Sequence, residues 1–322
     1  MQRLIRDFVW KLSPWYSPKL KKWIEKEKPT HIFLAPGYAK FIYDIALRIS
    51  KDYQLPIITY ICDEYYFVSR PASLAERFRL SLLKKKMDTL MKKTSCLVAI
   101  CDEIKVKYSE HFQVPATTIM TGADALPLQS ENAKGTPNSI SYFGNLGCNR
   151  FQSLCDVGRA LESINRRQGT SFTLKIYTNE KDSKILGMLS EISTTCLCGF
   201  VTGDAFQKAV SNSDLLIHVE AFDQESIDLV KHSVSTKIAD SLACGIPFLA
   251  YGPDAVSSMK HLIRHDCALI STSKETLESM LETAFFQSEE RDRVVRNALQ
   301  TSTEYHNKQK NSANLRSVFC CN

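Results

Sequence analysis

Several things are missing from this 322-residue chain, and each absence narrows what it can be. No run of about 18 apolar residues occurs, so no segment has the length to cross a bilayer as a helix. None of the 11 cysteines forms a Cys-x-x-Cys pair, the usual scaffold of a structural zinc site, so no metal is expected. Glycine and proline are sparse, at 12 and 11, which excludes collagen-like and low-complexity chains. With 44% hydrophobic and 24% charged residues, wholesale disorder is excluded too. Gly-x-Gly-x-x-Gly is absent, which argues against a nicotinamide or flavin enzyme. Asp-x-Asp is absent as well. The opening stretch MQRLIRDFVWKLSPWY has no apolar core of a secretory leader, and the thiol count is odd, so a reducing cytoplasm is the expected setting.

What is present is unevenly distributed. Residues 1–130 hold 21 Lys and Arg against 13 Asp and Glu, a balance of +8, and the remainder holds 20 against 22. A basic first part and a near-neutral second part suggest two domains, the first with an anionic partner. The basic residues accompany no recognisable RNA or DNA module, so nucleic acid is not expected. Short continuous apolar runs alternate with helical patterns throughout. HIFLAPG, PIITYIC and SCLVAI read as buried strands of the first part. A helix over 19–28 with Trp23 and Ile24 inward, and others over 41–50 and 72–94, lie among them. ISYFG, FTLKIYT, TTCLCGFV, DLLIHVE and IPFLAYGP are strands of the second, with helices over 151–167, 181–192, 204–212 and 235–244. The expected fold is α/β, with two Rossmann-like doubly wound domains. The expected divisions are 1–130, a linker at 131–138, a second domain at 139–305 and a closing helix at 306–322.

Two loops can carry chemistry. In SVSTKIADSLACG, Ser233, Val234, Ser235, Thr236 and Lys237 open a helix, where unpaired N–H groups and the positive end of the dipole suit a phosphate. A plain Ser/Thr cap is the simpler use of such residues. In GNLGCNR, Gly144 and Gly147 permit a tight strand-to-helix turn, and Arg150 can reach a phosphate as a charged donor.

Taken together and in order, these motifs resemble the group 1 glycosyltransferases, family 4, of the two-domain arrangement called GT-B. The resemblance spans most of the chain and is strongest from 140 to 260. The family's first loop of the second domain, typically G-R-L followed by K-G, falls on Gly144, Asn145, Leu146, Arg150 and Phe151. Its diphosphate lysine thus becomes Arg150, and its arginine becomes Asn145. The family's E-G-F-G-L-x-x-x-E-A-M-A-C-G falls on HSVSTKIADSLACG. Its first Glu, a donor-sugar contact, lands on His232, and its second, a ribose contact, on Asp240. Gly199 and Phe200 occupy the segment that meets the nucleobase. Tyr177 ends a strand facing the same crevice, and Glu220 ends another at its lip. Within the family the pattern is similar to bacterial cell-surface polysaccharide transferases.

The resemblance implies transfer of a sugar from a nucleotide diphosphate sugar to a glycan or lipid-linked acceptor, with retention and without a bound metal or other cofactor. Arg150, His232 and Asp63 are the implied catalytic group. Gly37, Tyr38, Asp63 and Tyr65 are the implied acceptor side. The first domain looks short, as if its opening strand were missing, so a partner chain completing it is one expectation. A non-catalytic nucleotide-sugar-binding module is the alternative, and a two-domain epimerase a third. The stretch 77–93 carries Phe78, Leu80, Leu82, Leu83, Met87, Leu90 and Met91 among seven Lys and Arg. It suits either an anionic membrane surface at the inner face of the plasma membrane or a core helix with a solvated back.

Overall fold

The computed structural model describes residues 6, 7, 9, 10, 12–67, 73–123 and 137–320. The chain divides into two compact units, Met1–Met120 with Ser312–Asn322, and Thr121–Asn311. Most of the expected linker lies outside the described residues.

In the first unit the order is α1 (Pro18–Glu27), β1 (Ile32–Leu34), α2 (Lys40–Tyr53), β2 (Ile57–Ile61), α3 (Leu74–Met91), β3 (Thr94–Ala99), α4 (Asp102–Phe112) and β4 (Ala116–Thr118). The four strands are parallel and lie in chain order. Ser17 starts α1 by accepting the Leu20 N–H, and Pro18 suits the first helical position, where no N–H is needed. Ile24 is buried as expected, but Trp23 is 57% exposed, because the neighbouring position points about a quarter-turn away. In α3, Leu80, Leu83, Met87, Leu90 and Met91 form one helical stripe, and all are buried. Each such side chain contributes about 1.5–3 kcal/mol by leaving water. The stripe therefore belongs to the core, and the apolar residues left outside are Leu74 and Phe78.

The second unit holds β5 (Ser139–Phe143), α5 (Arg150–Gln168), β6 (Thr173–Tyr177), α6 (Ser183–Ser190), β7 (Thr195–Gly199), α7 (Gly203–Ser211), β8 (Leu215–Val219), α8 (Gln224–Val230) and α9 (Thr236–Ala243). It continues with β9 (Phe248–Tyr251), α10 (Ser257–Arg264), β10 (Leu269–Ser271), α11 (Lys274–Phe286) and α12 (Ser288–Tyr305), and the last helix, α13 (Lys308–Cys320), begins in this unit and belongs from Ser312 onward to the first. All six strands are parallel, in the order β10-β9-β8-β5-β6-β7. The core runs along both faces of this sheet, from Ile140, Leu161, Leu174 and Phe285 on one side to Leu216, Ile238, Phe248 and Met259 on the other. The short helix α8 has no counterpart in the sequence reading. It is held by one cap, the Asp223 carboxylate accepting the Ser226 N–H at 2.9 Å. Past residue 253, the sequence reading holds the closing helix alone. The structure adds α10, β10, α11 and α12 before it.

No described helix is long and apolar enough to cross a membrane. The fold class is the expected one, α/β with two parallel-sheet domains.

Candidate functional site

The chain leaves β5 in one direction across the sheet and, at β8, in the other. A crevice opens beyond the carboxyl ends of strands where the order reverses in this way, and ligands of such sheets bind there. Gly144 follows β5, and Glu220 follows β8. Glu220 is 1% exposed. Its Oε2 accepts Arg150 Nε at 3.0 Å and lies 2.9 Å from Arg150 Nη2, and its Oε1 lies 3.1 Å from His218 Nε2. Burial opposes the Glu220 charge, but His218 and Arg150 outweigh it and hold the carboxyl below its ordinary value. The backbone is pinned as well. Glu220 N–H donates to the Tyr251 carbonyl at 2.9 Å, and its carbonyl accepts Ser153 Oγ at 2.8 Å.

Arg150 arrives from a strained turn. Cys148 and Asn149 have φ of 52° and 53°, the left-handed region that non-glycine residues seldom adopt. The guanidinium also donates from Nη1 to Asn145 Oδ1 at 3.3 Å and to the Gly147 carbonyl at 3.4 Å. Asn145, Arg150 and Glu220 thus form one hydrogen-bonded set.

Lys237, in the first turn of α9, reaches into the same crevice. A Cβ on Gly144 would lie 2.6 Å from its Nζ and 2.8 Å from the Tyr142 hydroxyl, so only glycine leaves room for the ammonium. Burial, then the Arg150 charge, lower the Lys237 pKa, with Glu220 opposing. An anion placed beside Arg150 and Lys237 relieves both penalties. Below them lies a cavity of about 180 Å³. Gly144, Tyr177, Phe200, Lys237 and Asp240 line it, five of the expected site residues. Tyr177 stacks on Phe143 with ring centroids 4.5 Å apart and planes 7° apart, and Phe206 meets Phe143 edge-on at 5.3 Å. The cavity therefore has a flat aromatic wall and a cationic end, with Asp240 one helical turn past Lys237.

Asn145, Arg150 and Glu220 adjoin this cavity without lining it. His232, Ser233, Val234, Ser235 and Thr236 do not line it either. The Ser233 carbonyl accepts Ser258 Oγ at 3.3 Å, and that same oxygen accepts the Ser235 N–H at 3.1 Å. Ser235 makes no side-chain cap, which departs from the simpler use of that residue. Val234 packs on the core. Gly199 has φ 75°, and its carbonyl accepts the Thr178 N–H at 2.9 Å. His218 is the residue missed. It stands two places before Glu220 on β8, so the strand period puts both on one face.

The first-unit group gathers after β1 and β2. The Tyr38 ring meets Tyr65 edge-on at 5.2 Å, and its hydroxyl donates to the Glu64 carbonyl at 3.2 Å. The Gly37 carbonyl accepts the Tyr43 hydroxyl at 3.0 Å. Asp63 Oδ1 accepts the Glu64 N–H at 2.8 Å. Glu64 was not singled out by the sequence. Its carboxylate accepts the N–H groups of Tyr66 and Phe67 and the Tyr108 hydroxyl at 2.8 Å, and pairs with Lys107 at 3.1 Å. Among the described residues, no three His, Cys, Asp or Glu stand close enough to hold a metal ion.

No protein-family model matches the chain, and no curated protein sequence does. Solved structures do. HepE from Anabaena, in complex with UDP and glucose, matches with a TM-score of 0.67 over 95% of this chain and 82% of its own, at 12% identity. Sucrose-phosphate synthase from Thermosynechococcus elongatus matches with a TM-score of 0.66 over 98% and 80%, at 12% identity. A UDP-forming α,α-trehalose-phosphate synthase from Burkholderia xenovorans, in complex with glucose-6-phosphate, gives 0.69 over 97% and 78%, at 9% identity. What the chain shares with these proteins is their fold, two Rossmann-like parallel-sheet domains of the GT-B type.

Proposed function

We propose that the protein is a glycosyltransferase of family 4 type whose second unit binds a nucleotide diphosphate sugar. The observation that carries this is the convergence of Arg150 and Lys237 beside Gly144, at the reversal point of a parallel sheet, above an aromatic-walled cavity. Proteins of the same fold include one complexed with UDP-glucose and one complexed with UDP and an α-GlcNAc-glycerol, which supports the class of donor.

In this assignment the nucleobase lies against Tyr177, Phe143 and Phe200, Asp240 takes the ribose, and the diphosphate meets Arg150, Lys237 and the N-terminal end of α9. The bond from the sugar carbon to the diphosphate oxygen breaks as a bond to the acceptor hydroxyl oxygen forms, and the hydroxyl's proton passes to the departing diphosphate. Arg150 and Lys237 stabilise the charge growing on the departing diphosphate, so the transfer needs no metal. His232 is assigned to the donor sugar, and configuration is retained. The acceptor, a glycan or a lipid-linked glycan of a surface polysaccharide, is assigned to Gly37, Tyr38, Asp63 and Tyr65. The exposed basic residues of the α3 region, Arg77, Lys85, Lys92 and Lys93, would hold the protein at an anionic membrane surface on the cytoplasmic side.

The test is release of UDP or GDP from a panel of nucleotide sugars, with and without lipid-linked glycan acceptors, in the presence of a chelator. Acceptor-dependent release is expected. Tight binding with no release under any condition would make the chain a nucleotide-sugar-binding subunit. Absence of binding would remove the donor site.

A further inference from the structure

The strand β7 lies at one edge of the six-stranded sheet. It carries two cysteines, Cys196 and Cys198, whose sulfurs are 3.8 Å apart. Residues two apart on a strand share a face, but something more specific brings these together. In the pairing with β6, Leu197 stands opposite Ile176 and Gly199 opposite Tyr177, so Cys198 is an extra residue on β7, a bulge. Cys196 is exposed, and Cys198 is half-buried. The bulge touches the cavity wall. Gly199, which closes the bulge, pairs with Tyr177 in the ladder, and burial first, then the Cys198 thiol, push the Tyr177 hydroxyl up. Phe200 and Val201, directly after the bulge and Gly199, line the cavity with Tyr177.

We propose that Cys196 and Cys198 are a modification site, a vicinal dithiol that closes reversibly to a disulfide and thereby reshapes the aromatic wall of the cavity. The oxidant is a low-molecular-weight disulfide. The exposed Cys196 thiolate attacks one sulfur of it, forming a mixed disulfide and releasing one thiol. The Cys198 thiolate then attacks the Cys196 sulfur, forming the protein disulfide and releasing the second thiol. Two electrons pass from the pair to the oxidant, and the protons of the two cysteines end on the released thiols. Closure needs the sulfurs to move from 3.8 Å to a bond of about 2 Å. An edge strand has no partner on its outer side to resist that movement, and Gly199, at φ 75°, is a hinge without a side chain. The movement pulls on Gly199, whose carbonyl holds the Thr178 N–H, and on Phe200 beyond it.

The claim that closure alters nucleotide binding rests on the donor-site assignment above, and the chemistry of the thiols does not. The full chain is equilibrated with mixtures of reduced and oxidised glutathione, trapped with a thiol alkylator and mapped by mass spectrometry of peptides. The peptide holding both residues is expected to lose two hydrogens as the mixture becomes more oxidising, and Cys196→Ser and Cys198→Ser are each expected to abolish that loss. Two alkylated cysteines throughout, or glutathione left on Cys196, overturns the site. In parallel, UDP is titrated into reduced and oxidised protein. Affinity is expected to fall several-fold on oxidation, to recover with dithiothreitol, and to be insensitive to oxidation in both variants. An oxidised pair with unchanged UDP affinity overturns the coupling. If neither UDP nor GDP binds the reduced chain, the donor assignment falls, and the peptide map alone decides the modification site.

Discussion

At the residue scale the central pair is Arg150 and Glu220. The carboxylate side chain is 2% exposed and the guanidinium 14%, so neither is an ordinary surface partner. A buried pair of this kind fixes geometry more than it adds stability. It holds the Arg150 guanidinium in place at one end of the crevice. Replacing Arg150 with Ala is expected to weaken UDP binding by about 1.5–3 kcal/mol, the worth of a charge-assisted hydrogen bond, as read by titration calorimetry. Unchanged affinity would take Arg150 out of the site. The acid dependence of stability provides a second check. Glu220 is held below its ordinary value in the fold, so the unfolded chain takes up its proton first as pH falls. Its contribution is complete above the ordinary carboxylate value of about 4.3 and is lost as pH drops from there through the lowered folded value. The urea midpoint of the parent should therefore fall more steeply on acidification than that of Glu220→Gln, and parallel curves would contradict it. Glu220 and Gly144 were legible in the sequence, each as the end of an apolar run. Their partner relation was not, because Arg150 and Glu220 are 70 residues apart and only the sheet order brings β5 beside β8.

At the element scale, two glycines separate site from scaffold. Gly144→Ala puts a Cβ 2.6 Å from Lys237 Nζ, the mobile end of a flexible side chain. The same Cβ would stand 2.8 Å from the hydroxyl of the buried Tyr142, so some stability is lost there, but the fold should survive, while Lys237 leaves its place and UDP affinity falls. Gly158→Ala is the converse. Its Cβ would stand 2.9 Å from Ile192 Cγ2 and from Thr195 Oγ1, where α5 meets the segment leading into β7. Overpacking there should cost about 1–3 kcal/mol in denaturant unfolding and leave UDP affinity alone. If the two variants behave alike, Gly144 is a packing glycine. The helix α3 shows where sequence patterns stop. Its apolar stripe was legible, but a stripe does not say whether a core or a membrane covers it, and the structure puts it in the core. What is left for a membrane is charge. Binding to vesicles rich in phosphatidylglycerol should be strong at low salt and vanish at high salt, since each basic residue near such a surface supplies about 1 kcal/mol that salt screens. Salt-independent binding, or none, would contradict a membrane role for α3.

For the whole molecule, the alternation of apolar runs and helical patterns was enough to give two parallel-sheet domains, because continuous apolar strands need helices on both faces. The order of the strands was not legible, and it is the order that creates the crevice. The aromatic wall was half visible. Tyr177 and Phe200 stood out at strand ends, whereas nothing in the sequence singled out Phe143, which the sheet stacks on Tyr177, or Phe206, which α7 sets edge-on to Phe143. The cationic loop stood out for its glycines and Arg150, yet nothing local showed that Lys237 would share its space. All of these features converge on a single claim, that the second unit holds a nucleoside diphosphate between the Arg150–Lys237 pair and the aromatic wall. Titration calorimetry of UDP, GDP and uridine against the parent chain and Arg150→Ala tests it most directly. At least one diphosphate should bind far more tightly than uridine, and Arg150→Ala should erase most of that difference while leaving the protein folded. Equal affinities for uridine and both diphosphates, or a difference that Arg150→Ala leaves intact, would contradict the claim.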